Sequence, residues 1–200
     1  GDNNMLGLYK HYYGSDNQTS GGITTTQTGS NNTMRIDTHG DNNNVSGTQI
    51  TNNATMDLEI DYDGNSVDAR QRCSVGASCN ADSMVLNAYQ ADDNNIKMGQ
   101  GYKISESGSW QYDGTEQGGH SMDLYVTGDR NDIILSQRSQ NNTSGHFMDI
   151  NIYSDDNDVH VMQESNTTKS LTLNINNDDN NVSIHQKKSY GQTATVTLTH

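Results

Sequence analysis

Apolar side chains in this chain fall into two short alternating patterns that take turns along its length. The first reads Met34-x-Ile36, Met56-x-Leu58-x-Ile60, Met84-x-Leu86-x-Ala88, Met122-x-Leu124-x-Val126, Met148-x-Ile150-x-Ile152 and Leu171-x-Leu173-x-Ile175. The second is Asn-x-(Val/Ile)-x-x-x-Gln. Its copies are Asn43, Val45 and Gln49; Asn65, Val67 and Gln71; Asn94, Ile96 and Gln100; Asn131, Ile133 and Gln137; Asn157, Val159 and Gln163; and Asn180, Val182 and Gln186. An earlier copy, Ile23 to Gln27, has Gly21 in the Asn place. Alternation with period two predicts a strand with one buried face for each pattern. Between the patterns lie turn-formers such as His39-Gly40-Asp41, Asp61 to Gly64 and Ser154-Asp155-Asp156.

Each repeat therefore predicts strand, tight turn, strand, tight turn, every 22 to 37 residues. Neither strand can bury its apolar face alone. Stacking copy on copy at about 4.8 Å gives every backbone group a partner and turns each repeat position into a column. The fold class expected is all-β: a β-solenoid of stacked strand-turn-strand repeats, cross-β-like and polymerising. Asn and Gln columns are expected to point inward and hydrogen-bond from coil to coil. The chain divides into residues 1–22, a partly irregular N-terminal segment, and residues 23–200, about seven repeats and a terminal half-repeat.

Composition sharpens this picture. Ile, Leu, Val and Phe make up 15.5 % of the 200 residues, and the net charge is -14, a combination usual for disordered chains. Yet 26 Asn, 13 Gln and the complete absence of Pro suit a chain of paired strands with amide ladders. The acidic excess argues against a nucleic-acid partner, whose electrostatic footprint would be basic. No apolar run reaches the roughly 18 residues of a membrane span.

The strand-turn-strand unit resembles the curlin repeat. In residues 34–49 the turn Gly40, Asn43, Val45 and Gln49 fall in that repeat's register, and residues 56–71 and 122–137 match similarly. Met or Leu replaces the repeat's leading Ser, and Ile60, Ala88, Val126, Ile152 and Ile175 replace its first Gln, making this core more apolar. The resemblance implies a secreted structural subunit of an extracellular, cell-surface amyloid fibre that builds biofilm matrix and supports adhesion. It implies identical subunits as partners, with a nucleator subunit and an outer-membrane secretion pore. A monomeric surface adhesin or ligand-binding solenoid is the alternative reading.

Other candidate chemistry is sparse. No nucleophile elbow, zinc-protease motif or phosphate loop occurs, so the chain is expected not to be an enzyme and to need no cofactor. Cys73 and Cys79 are too few for a zinc site and are expected to form a local disulfide. The runs Asp61-Asp63-Asn65 and Asp155-Asp156-Asp158 have partial calcium-loop spacing but read as turns, so no metal is expected. The seven His form no recognisable cluster, and His160 and His185 are expected to be solvated. The last segment, Ala194 to Leu198, supplies only one strand. Val196 and Leu198, with Leu6 and Leu8 at the other end, are expected to form the assembly interface, completed by a second subunit.

Overall fold

The structure, a computed structural model, describes residues 6–10, 22–38, 43–50, 52–61, 63–72, 82–89, 95–101, 109, 120–128, 131–138, 146–154, 156–165, 168–176, 179–187 and 191–199. Thirteen strands follow one another, and no helix occurs among these residues. They are β1 (Leu6–Lys10), β2 (Met34–Thr38), β3 (Thr55–Asp61), β4 (Ala69–Gln71), β5 (Asp82–Tyr89), β6 (Asn95–Gln100), β7 (His120–Thr127), β8 (Asp132–Arg138), β9 (His146–Tyr153), β10 (Asp158–Glu164), β11 (Lys169–Asn176), β12 (Asn181–Lys187) and β13 (Gln192–Thr199).

These strands make two sheets. The larger, of eight strands, has the order β1-β2-β3-β5-β7-β9-β11-β13, and the smaller, of five, β12-β10-β8-β6-β4. Every pairing in both is parallel. From β3 onward the chain crosses from one sheet to the other and back, advancing one strand each time. This is a β-solenoid, as the two alternating patterns predict.

Register follows the sequence pattern position for position. Met34, Met56, Met84, Met122 and Met148 pair in one column, which continues through Leu171 to Ala194. Beside it runs Ile36, Leu58, Leu86, Leu124, Ile150, Leu173 and Val196. From the opposite side come Val45, Val67, Ile96, Ile133 and Val159, and all of these except Ala194 and Val196 lie in one continuous core. A slip of one residue would turn the whole apolar set of a strand outward, so the thin core itself specifies the register.

The structure departs from expectation at the start of the smaller sheet. Segments 23–27 and 43–49 are not regular strands, although their backbones stack as expected: Ile23 N donates to Asn44 O (3.0 Å), Val45 N to Ser66 O (2.9 Å) and Gln49 N to Arg70 O (2.9 Å). Gly47 and Thr48 have φ of 100° and 88°, and these left-handed residues break the extended run. At the other end of the repeat, Asp63, Asp156 and Asp179 take φ of 66°, 53° and 57° in equivalent turns of different coils. The acidic runs with partial calcium spacing thus supply left-handed turn residues, a conformation Asp tolerates better than most. Strand β1 pairs with β2 in the larger sheet, Leu6 against Met34 and Leu8 against Ile36, so solenoid pairing begins ahead of residue 23.

Candidate functional site

The inner ladders are the feature with most functional content. Gln27 Nε2 donates to Gln49 Oε1 (2.8 Å) and Gln49 Nε2 to Gln71 Oε1 (3.4 Å). From the opposite end, Gln186 Nε2 donates to Gln163 Oε1 (2.8 Å), Gln163 Nε2 to Gln137 Oε1 (3.0 Å) and Gln137 Nε2 to Gln100 Oε1 (2.9 Å). Every one of these Gln also donates to a main-chain carbonyl just ahead of the next Met/Leu position. The acceptors are the carbonyls of Thr33, Thr55, Ser83, Ser121, Phe147, Ser170 and Thr193. Each Gln thus ties its own strand both to the coil stacked beside it and to the strand that follows. The second role was not expected from sequence.

The Asn column behaves similarly at the opposite corner. Asn65 Nδ2 donates to Asn43 Oδ1 (2.5 Å), Asn131 Nδ2 to Asn157 Oδ1 (2.7 Å) and Asn157 Nδ2 to Asn180 Oδ1 (2.5 Å). Asn94 lies outside the described residues, as do Cys73 and Cys79. So does most of the stretch between β6 and β7, including Trp110.

At the terminal strand, Val196 and Leu198 are 42 % and 51 % exposed, whereas Leu173 and Ile175, their register partners in β11, are buried. β1 and β13 stand at the two edges of the larger sheet.

A further inward column, buried at His120, His146 and Lys169, escaped the sequence reading. His120, His146, Lys169 and Gln192 open strands β7, β9, β11 and β13 in mutual register. Asp82 opens β5 in register with His120. The imidazoles of His120 and His146 stack with centroids 4.9 Å apart and planes 7° from parallel. Both rings are 1 % exposed or less. His120 Nε2 donates to Arg138 O (3.2 Å), and Lys169 Nζ donates to Ser165 O (2.6 Å). Burial lowers the His120 pKa to about 4, against the small opposing pull of the Arg138 carbonyl. Burial, then the nearby His120 and Lys169, lowers that of His146 to about 3. Burial likewise pushes Lys169 down. The signal was present: each of these residues sits two before the Met122, Met148 and Leu171 positions, hence on the same inward face.

The chain matches no protein-family model, no curated protein and no solved structure. Its own geometry is therefore what a functional reading rests on.

Two further details correct the sequence reading. His160 and His185 are half-buried rather than solvated, with ring centroids 5.3 Å apart on the outer face of the smaller sheet. Ser136, which alternation places outward, is buried. On the larger sheet Asp123 and Asp149 are in register, and burial followed by the Asp149 charge raises the Asp123 pKa. Among the described residues no group of three or more His, Cys, Asp or Glu is arranged to hold a metal ion, and no helix is long and apolar enough to cross a membrane.

Proposed function

We propose that this chain is a structural subunit of an extracellular, curli-like amyloid fibre, which self-assembles head to tail at the cell surface and contributes to biofilm matrix and adhesion. The observation that carries this reading is the coil-to-coil identity of the stack. From residue 34 to residue 186 successive coils repeat the same order of Met/Leu, aliphatic and Gln columns along the same axis, with Asn at the intervening corner at Asn43, Asn65, Asn131, Asn157 and Asn180. A coil of a second copy therefore meets at a sheet edge the groups that a coil of the same chain meets inside the solenoid.

The edges support it further. Strands β1 and β13 bound one sheet, and Val196 and Leu198 on β13 are exposed apolar groups in register with the core columns. A copy added there extends the larger sheet, and natural proteins normally blunt such edges with charge or Pro, neither of which β13 carries. The extracellular, cell-surface location, the biofilm and adhesion role, and the nucleator and secretion-pore partners rest on the curlin resemblance alone.

Electron microscopy of the purified chain after a day in buffer, read beside thioflavin fluorescence, tests the reading. Unbranched thioflavin-positive fibrils are expected. Folded monomers that persist at high concentration would contradict it and favour a monomeric adhesin.

A further inference from the structure

Three tyrosines on the outer face of the larger sheet touch across successive coils. Tyr89 ends β5, Tyr125 lies in β7 and Tyr153 ends β9. The Tyr89 and Tyr125 ring centroids are 5.5 Å apart with planes at 49°, and those of Tyr125 and Tyr153 are 5.4 Å apart at 43°. Tyr125 is thus the common member of two contacting pairs. Tyr89 and Tyr153 are 39 % and 44 % exposed and Tyr125 is half-buried, so the outer two rings face solvent.

Tilted contact of this kind is a usual aromatic packing geometry, and by itself it only covers the sheet. Two properties go further. Neighbouring planes are inclined by more than 40°, so the row offers no flat platform on which a sugar ring or planar ligand could stack. What it offers is phenol beside phenol, held by parallel strands and open to an oxidant.

We propose that Tyr125, with Tyr89 on one side and Tyr153 on the other, is an oxidative cross-linking site at which a haem peroxidase and hydrogen peroxide join successive coils through a dityrosine bond. The oxidised peroxidase removes one electron from each of two phenols, each of which loses its O–H proton, leaving two phenoxyl radicals. Carbons ortho to the two oxygens then form one C–C bond. Each of these carbons loses its hydrogen as a proton while its oxygen regains one, so both phenols are restored. The pair has lost two hydrogen atoms in all, and one peroxide has become two waters. The proposal concerns contacts within one chain and does not depend on the fibre reading.

Such a bond adds a covalent tie between coils otherwise held by strand hydrogen bonds and core packing. The test treats dilute monomeric chain with a haem peroxidase and hydrogen peroxide, follows dityrosine fluorescence and maps the linked peptides. Links 89–125 and 125–153 are expected to dominate over those involving the other seven of the ten tyrosines. Tyr125→Phe should remove both links, and Tyr89→Phe only the first. The double variant Tyr89→Phe/Tyr153→Phe, which leaves Tyr125 in place, should also lose both, guarding against a folding defect in the single variant. Cross-linked protein should unfold at higher urea than untreated protein. Links scattered over all tyrosines, or the same link pattern from urea-unfolded chain, would overturn the proposal.

Discussion

Gln137 shows how much one side chain does in a core this thin. Its amide donates to Gln100 and to the Phe147 carbonyl and accepts from Gln163, with no exposed surface. Gln137→Leu keeps the volume but takes one partner each from Gln100 Oε1, the Phe147 carbonyl and the Gln163 amide, at about 1 to 3 kcal/mol for a group left unsatisfied. A loss of about 2 to 4 kcal/mol in urea unfolding is expected, against less than about 0.5 kcal/mol for Thr172→Ala on the outer face. Equal midpoints for the two variants would remove the ladder from the account. The His120–His146 pair gives a second expectation, with a definite sign. Both folded-state pKa values, about 4 and about 3, lie below the ordinary 6.5. Unfolded histidines therefore bind protons that the folded ones refuse as pH falls below 6.5. Their contribution is complete above pH 6.5 and is lost toward pH 4 and 3, by up to about 1.4 kcal/mol per pH unit for each ring. Urea midpoints measured from pH 7 to 4.5 should fall, and His146→Leu should flatten that fall relative to wild type. An unchanged pH slope in the variant would mean that the ring is not buried neutral.

Strands declare themselves where alternation runs five residues or more, as in β3, β5, β7, β9 and β11. The Asn-to-Gln motif likewise announces β6, β8, β10 and β12, and with them the two inward amide columns. Legibility fails where a residue's backbone, not its side chain, decides the outcome. Gly47 and Thr48 look like ordinary members of a strand, but their positive φ interrupts it. The histidine column was missed for another reason. His and Lys read as surface residues, and only aligning the repeats at their Met/Leu positions shows that His120, His146 and Lys169 share an inward register. Gly101 marks the corner after β6, with φ 65°, and a Cβ there would stand 2.1 Å from Arg138 O. Gly101→Ala must therefore displace backbone at the joint of β6 and β8. It is expected to accelerate hydrogen exchange in β6 and β8 while leaving β11 and β12 unchanged. Uniform exchange across all four would show that this corner does not hold the coil.

Taken whole, the molecule combines a repetitive stack of coils with a formal charge of -14. Repulsion between copies is screened within about 8 to 10 Å at 0.1 to 0.15 M salt, so assembly at pH 7 should accelerate as salt rises. Acid acts in two directions. Approaching the sequence pI of about 4.5 removes the repulsion, while protonation of His120 and His146 weakens the coils on which the proposed assembly depends. Assembly rate should therefore pass through a maximum as pH falls, not climb steadily; a rate indifferent to both salt and pH would show that charge is not the brake. The central claim, that whole solenoids stack end to end, makes a prediction about mass. Eight strands in the larger sheet, at about 4.8 Å each, give each 21.9 kDa chain a rise of about 38 Å, or about 6 kDa per nm of filament. Were the chain instead to pair flat with its neighbours, one chain per strand spacing, the figure would be about 46 kDa per nm. Scanning transmission electron microscopy of unstained single filaments measures this directly: about 6 kDa per nm, or a small multiple of it for bundled filaments, is the predicted result, and a value near 46 kDa per nm would contradict the account.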